Sequence, residues 1–237
     1  VDVGGIHWTG PAVTAITPML FDILVIQDLY GTSTTTRAGA TTYTFDPDTP
    51  SLQTIFDSGG VDTFDLTGHT RASEIDLRAA SFSSIDLYPY LTQIEDTVDI
   101  FGEGFRGFIT DILDAPDAFT WTDNVAIAYG VTIENVFCGD AADDVIGNSA
   151  ANDLRGNGGS DRLDGAAGND KLNGGAGSDI MIGGTGHDTY TVNAAGDVTT
   201  ETTAAGGGID LVKSSVTRTL GANLEKLTLT GAAAIDG

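Results

Sequence analysis

Cysteine is all but absent. Cys138 is the only one in 237 residues, so no disulfide can close within the chain, and neither a thiolate zinc site nor a redox pair is available. Basic residues are scarce as well, 10 Lys and Arg against 34 Asp and Glu. The resulting charge of −24 excludes nucleic acid as a natural partner and opposes compaction unless cations neutralise it. Long apolar runs are missing. The longest aliphatic stretch, Ile23 to Ile26, falls far short of the roughly 20 residues a membrane helix needs, so no membrane insertion is expected. No basic segment followed by an apolar one stands near Val1, and export would use another route. Histidine is limited to His7, His69 and His187, with no H-E-x-x-H. Zinc hydrolysis needs two histidines one helical turn apart and a glutamate to activate water, so no catalytic residue is expected on this chain.

What is present is glycine, aspartate and enough apolar side chain, 41%, for a buried core. Aspartate greatly outnumbers glutamate, and a short carboxylate on a tight turn suits hard cations such as calcium. Residues 138–191 divide into six nine-residue rows without a slip of frame: CGDAADDVI, GNSAANDLR, GNGGSDRLD, GAAGNDKLN, GGAGSDIMI and GGTGHDTYT. Position six carries Asp143, Asn152, Asp161, Asp170, Asp179 and Asp188. Position eight carries Val145, Leu154, Leu163, Leu172, Met181 and Tyr190. One column is for charge and the other for a core. The rows match G-G-x-G-x-D-x-U-x, the known nonapeptide of calcium-binding parallel β-rolls.

The physics of the row supports that match. Glycines at positions one, two and four let the backbone turn through positive φ and point carbonyls inward, and the last three residues form a brief strand. Two rows make one coil, so odd rows stack on odd and even on even. Calcium is expected between stacked turns, taken by position-six oxygens paired as Asp143 with Asp161, Asp161 with Asp179, Asn152 with Asp170, and Asp170 with Asp188. Backbone oxygens of Gly156, Gly158, Gly159, Gly165, Gly168, Gly174, Gly175, Ala176, Gly177, Gly183, Gly184, Thr185 and Gly186 complete an all-oxygen set. Six core side chains bury too little to order 54 residues unaided, so metal binding becomes folding free energy. A flexible glycine-rich linker would have no reason to keep an apolar column in register.

The expected fold class is all-β: a β-sandwich leading into a parallel β-roll, with one short N-terminal helix. Residues 1–31 read as the tail of an upstream domain, with a helix at 18–30 started by Pro18 and stopped by Gly31, burying Leu20, Ile23, Leu24, Ile26 and Leu29. Thr-rich alternating segments place the sandwich at 32–137 and the roll at 138–191. Residues 192–237 read as capping strands that stop without a closing element. Residues 88–121 read as an insertion rich in aromatics, either a local core or a partner or glycan surface. Within it Gly102, Gly104 and Gly107 fit G-x-G-x-x-G, but no βαβ context surrounds them and no nucleotide is expected.

TPMLFDILVIQDLYG, TRAGATTYTF, FDSGGVDTFDLTG, GVTIENVFCGD and the nonapeptides, in that order, resemble the C-terminal half of serralysin-type secreted metalloproteases of the metzincin group, over residues 17–191. The resemblance implies a hemolysin-type (RTX) roll that folds on extracellular calcium, an upstream zinc protease domain in the parent, and type I secretion. It further implies a calcium site at Arg37, Gly39, Thr41, Asp57, Gly59 and Asp62, and a neighbour at Gly60, Asp62, Thr132 and Glu134. The leading expectation is a non-catalytic, calcium-dependent folding and secretion domain, with several calcium ions and no zinc. The alternative is an extracellular adhesion module that recognises ligands through the aromatic insertion. Deleting residues 88–121 separates the two: the first expects calcium-induced folding with no lost binding activity, whereas loss of cell or glycan binding with folding intact supports the second.

Overall fold

The computed structural model describes residues 2–3, 6–7, 20–47, 52–87, 98, 102–107, 124–201 and 207–231. In chain order the elements are β1 (Asp2–Val3), β2 (Ile6–His7), α1 (Leu20–Tyr30), β3 (Thr42–Thr44), β4 (Gln53–Ile55), β5 (Thr63–Asp65), β6 (Glu74–Asp76), β7 (Phe82–Ser83), β8 (Val125–Ile127), β9 (Asn135–Phe137) and β10 (Asp144–Ile146). They continue as β11 (Asp153–Arg155), β12 (Arg162–Asp164), β13 (Lys171–Asn173), β14 (Ile180–Ile182), β15 (Thr189–Val192), β16 (Val198–Thr200), β17 (Leu211–Ser214) and β18 (Lys226–Leu229). A turn every nine residues leaves space for three-residue strands, and each such strand can bury only its middle side chain.

Two layers of parallel strands result. One runs β3-β5-β9-β11-β13-β15-β17-β18 and the other β6-β10-β12-β14-β16. Successive rows alternate between the layers, so the register repeats every eighteen residues: Val145 sits beside Leu163 and Leu163 beside Met181, while Leu154 sits beside Leu172 and Leu172 beside Tyr190. All six position-eight side chains are at most 1% exposed, facing each other across the interior as the apolar column requires. The layers do not end at residue 138. Phe64 of β5 stands beside Val136 of β9, and Ile75 of β6 beside Val145 of β10. Of the strands read from the sequence as a sandwich, β3, β5, β6 and β9 therefore continue the same two parallel sheets as the nonapeptides. A coil made of β5 and β6 stacks directly on the coil made of β9 and β10, and the chain leaves the stack at Leu77 and returns at Asn135. Within that excursion β7 and β8 join β4, which comes from between β3 and β5, in a three-stranded sheet β4-β8-β7 that meets the second layer through an antiparallel bridge between Glu74 and Ser84.

The helix forms as expected and stops at Gly31, whose φ of 81° and amide bond to the Gln27 carbonyl at 2.9 Å make it a left-handed cap. Thr17 and Pro18 lie outside the described residues. Its broad buried face is corrected: Ile23 is buried and Leu24 partly so, but Ile26 and Leu29 are more than half exposed. A helix apolar on every side has no unique face, and only the stripe through Ile23 reaches the core. Of the insertion 88–121, only Val98 and residues 102–107 are described. There Glu103 pairs with Arg106 in a short 3-10 turn, Glu103–Phe105.

Stacking is close enough to dictate glycine at position four. Gly177 has φ of 144°, and a Cβ on it would overlap the carbonyl oxygen of Gly159 in the coil before. Gly177→Ala is expected to destabilise the calcium-loaded fold by about 1–3 kcal/mol. Gly104→Ala, with open space around it, should be neutral. Thermal melts of both variants check this, and an indifferent Gly177→Ala would mean the coils are not stacked this tightly.

Candidate metal centres

Each turn of the roll places its position-six carboxylate between two coils. One oxygen is used structurally. The Asp161 Oδ1 accepts the backbone N–H of Asp143 at 2.8 Å, Asp179 Oδ1 accepts that of Asp161 at 3.0 Å, Asp170 Oδ1 accepts that of Asn152 at 2.8 Å, and Asp188 Oδ1 accepts that of Asp170 at 2.8 Å. Asp143 Oδ1 does the same for Ser73 at 2.6 Å. The other oxygen, Oδ2, is buried without a hydrogen-bond partner in Asp143, Asp161, Asp170, Asp179 and Asp188. A buried anionic oxygen with no partner is costly, and five in two columns call for a positive ligand.

Glycine at position one shapes the space these oxygens face. A Cβ on Gly165 would lie 2.5 Å from Asp170 Oδ2 and 2.8 Å from the Gly183 carbonyl, and one on Gly156 would overlap Asp161 Oδ2 and the Gly174 carbonyl. Carboxylate and carbonyl oxygens from adjacent coils thus converge where a side chain would otherwise sit. The set is entirely oxygen, with no histidine or thiolate, which suits a hard divalent cation such as calcium. The residues fit the ion.

The position-six residues stand coil on coil in two columns, and Asn152 differs from the aspartates. Asn152 shares the column through its backbone, but its amide is engaged at both ends: Oδ1 accepts the Asn148 N–H at 3.0 Å and Nδ2 donates to the Glu134 carbonyl at 2.9 Å. It contributes neither charge nor an unpartnered oxygen. Its pairing with Asp170 is therefore a hydrogen bond, and Asp170 alone supplies the carboxylate there.

The second cluster surrounds Asp62. Asp62 Oδ1 accepts the Thr41 N–H at 2.8 Å, its own N–H donates to Glu134 Oε2 at 2.7 Å, and its Oδ2 is buried and unpartnered. This is the same device as in the repeats, one coil apart. Asp57 is held by the Tyr43 hydroxyl at 2.6 Å and the Gly59 N–H at 2.9 Å. Arg37, at φ of 51°, lies over the Tyr43 ring, and Thr41 Oγ1 donates to the Gly39 carbonyl at 3.0 Å. Gly60 packs on the Gly39 backbone where a Cβ would clash. Thr132 is exposed, two residues before Glu134.

Sequence reasoning missed residues at the C-terminal ends of both columns. Asp197 accepts the Asp179 N–H, Asp210 that of Asp188 and Glu225 that of Asp210. The step from Asp179 to Asp197 keeps the eighteen-residue spacing and was there to be found; the step from Asp188 to Asp210 spans 22 residues and was hidden by a longer loop. His69 is buried, with Nε2 3.0 Å from the Phe45 carbonyl and Nδ1 3.4 Å from Asp86, which also binds Arg71. His187 is exposed and accepts the Ile209 N–H through Nδ1 at 2.8 Å.

Comparison with known families agrees with this geometry. Residues 139–172 and 155–190 match the RTX calcium-binding nonapeptide repeat, in four copies, and residues 24–88 match the peptidase M10 serralysin C-terminal region. Residues 139–190 are thus RTX calcium-binding repeats, and residues 24–88 are similar to the serralysin C-terminal region. The chain is 35% identical over 142 residues to metallopeptidase AprA of Pseudomonas marginalis, covering 55% of this chain and 23% of that protein. It is 36% identical over 141 residues to serralysin B of Dickeya chrysanthemi, covering 54% and 22%, and 36% identical over 126 residues to serralysin of Proteus mirabilis, covering 48% and 25%. The chain spans about a quarter or less of the length of these relatives. Among the described residues, no helix is long and apolar enough to cross a membrane.

Burial holds the roll's aspartates protonated to unusually high pH, raising Asp143 to about 6 and Asp161 and Asp170 to about 7, with neighbouring aspartates adding to the shift in the last two. Asp62, Asp179, Asp188 and Glu134 are raised too, again by burial first. A carboxyl raised in the folded state binds protons that the unfolded chain has released, so without metal its contribution is present in acid and lost as pH rises through the folded value. In chelator, the RTX roll should be more stable toward urea near pH 4.5 than near pH 8, the loss setting in above the ordinary carboxylate value of 3.8 and being complete once pH has passed the folded values of about 6 and about 7. In saturating calcium the order should reverse, because protons compete with the ion. Urea midpoints by circular dichroism check this; a chelated chain stabilised by rising pH would contradict the carboxylate burial.

Proposed function

We propose that this chain is the non-catalytic calcium-binding part of a secreted serralysin-like zinc metalloprotease, and that its roll folds when it meets extracellular calcium. The observation that carries the reading is the row of buried, unpartnered Oδ2 oxygens facing carbonyls of the next coil. In the roll, calcium would be held by Asp143, Asp161, Asp170, Asp179 and Asp188 with the position-one to position-four carbonyls. Nearer the N-terminus it would be held by Asp57, Asp62 and Glu134 with the backbone around Arg37, Gly39, Thr41, Gly59, Gly60 and Thr132. The ion supplies the positive charge that the stacked carboxylates lack.

Where calcium is scarce, as in the cell of origin, repulsion among the aspartates keeps the chain open, which suits export of an unfolded polypeptide by a type I machinery. Outside, at the roughly 10⁻⁴–10⁻³ M range typical of extracellular calcium modules, the sites fill and the coils close. The folded roll then stabilises the protease domain upstream in the parent. Proteolysis belongs to that domain, since this sequence has no H-E-x-x-H.

The test is a calcium titration of the purified chain followed by far-ultraviolet circular dichroism and calorimetry, with chelator reversal. A cooperative gain of β structure with several ions bound is expected. Asp161→Ala and Asp170→Ala should each move the folding midpoint to higher calcium, by about tenfold for a loss of roughly 1.4 kcal/mol. Spectra of the two variants that match the parent chain at low calcium throughout would overturn the reading.

A further inference from the structure

Charge is sorted between the two outer faces of the roll. Each short strand turns its second side chain into the core and its first and third outward. On the first layer, from β11 to β18, the outward positions make two rows that run along the stack, one carrying Lys171 and Lys226 and the other Arg155 and Lys213. Every lysine of the sequence is therefore on this one face. All three are exposed, and among the described residues none is in an ion pair. The one carboxylate in the two rows, Asp153, is taken by Arg155 through bonds of 3.0 and 2.9 Å.

The outer face of the second layer has the opposite sign. Glu74, Asp76, Asp144 and Asp164 stand on it, with Arg162 bound to Asp144 and Asp164 at 3.2 and 3.1 Å and Arg78 bound to Asp76. Those carboxylates lie behind both sheets, about 10 Å or more from the lysines, and physiological salt screens charges over roughly 8 Å. The position-six aspartates are buried between coils, where a bound cation cancels their charge. A chain of net charge −24 thus presents one locally positive face once its coils are stacked and loaded.

The arrangement of that face is linear. Arg155 and Lys213 are three strands apart, as are Lys171 and Lys226, and the two pairs are staggered by one strand. At about 4.8 Å per strand the cations form a track roughly 19 Å long. Asn173, Thr189, Thr191 and Thr228 fill the positions between them with hydroxyl and amide groups.

We propose that this outer face of the first layer binds a linear acidic polysaccharide laid along the stack, its anionic groups on Lys171, Lys213 and Lys226 and its hydroxyls on the threonines and Asn173. One strand spacing is close to the length of one sugar unit in an extended chain, so charges recurring along the polymer meet cations recurring along the stack. A lipid surface fits less well, because Leu211 is the only apolar side chain in the two rows. A second copy of this chain fits less well too, because most carboxylates of the second layer's outer face are already held by Arg78 and Arg162. The inference goes beyond calcium-coupled folding, and needs only the stacked coils that folding produces.

The test is a titration of the chain, in saturating calcium, with heparin as a sulfated linear polysaccharide and with uncharged dextran. Circular dichroism reports folding in parallel. Heparin is expected to bind, with affinity that falls as salt is added, and dextran is not. Lys171→Gln, Lys213→Gln and Lys226→Gln should each weaken binding by about three- to tenfold, and the triple variant by about a hundredfold, with unchanged spectra and melting. Arg78→Gln, the same charge change on the opposite side, should bind as the parent chain does. A chain that folds on calcium and ignores heparin overturns this proposal and leaves the calcium reading standing. So does heparin binding that Arg78→Gln weakens as much as the lysine variants, or binding to phosphatidylglycerol vesicles without binding to heparin. A chain that does not fold on calcium overturns the calcium reading instead, and this face with it.

Discussion

Everything in this structure leans on carboxylates that are buried in pairs and satisfied by half. One oxygen of each position-six aspartate locks onto the amide of the preceding coil, so stacking cannot occur without bringing the side chain inside. The second oxygen is then stranded beside the carbonyls of the next coil. Hydrogen bonding that holds the coils together and electrostatic repulsion that drives them apart come from the same group. Only a counter-charge, whether a proton in acid or a calcium ion at neutral pH, releases the conflict.

The apolar core is subordinate to that arrangement. A strand of three residues buries a single side chain, and a column of Val, Leu, Met and Tyr one residue wide gives direction and register to the stack rather than most of its stability. The same economy extends past the repeats. Asp62 and Glu134 use the repeat's amide contact in coils whose sequence has no nonapeptide pattern, and Asp210 and Glu225 use it after the rows have ended. An excursion of the chain between Leu77 and Asn135 leaves the stack intact, because contacts run from coil to coil and not along the sequence.

Much of this was legible in the rows themselves. The charge and core columns follow from counting in nines, and the two-row coil follows from the strand period, so Asp161, Asp170 and their partners could be paired before any coordinates. Three features were not legible. The helix looked as if it would bury Ile26 and Leu29, yet an apolar composition on all sides does not say which stripe finds a neighbour. Asn152 occupies a ligand position by spacing, yet its partners Asn148 and Glu134 come from a turn and from another coil. The strands of 32–137 alternated like those of a sandwich, and alternation is equally compatible with a parallel coil until pairing partners are known.

The sequence by itself determined the repeat length, the inward column, the excess of negative charge and the all-oxygen chemistry, because each is a local property that recurs at a fixed interval. Tertiary structure decided which coils touch: that β5 and β6 lie against β9 and β10, that Asp188 meets Asp210 across 22 residues, and that Asp210 meets Glu225 across 15. Those are contacts between segments whose separation along the chain varies. No local period encodes them, and only the closing of the coils brings them into one place.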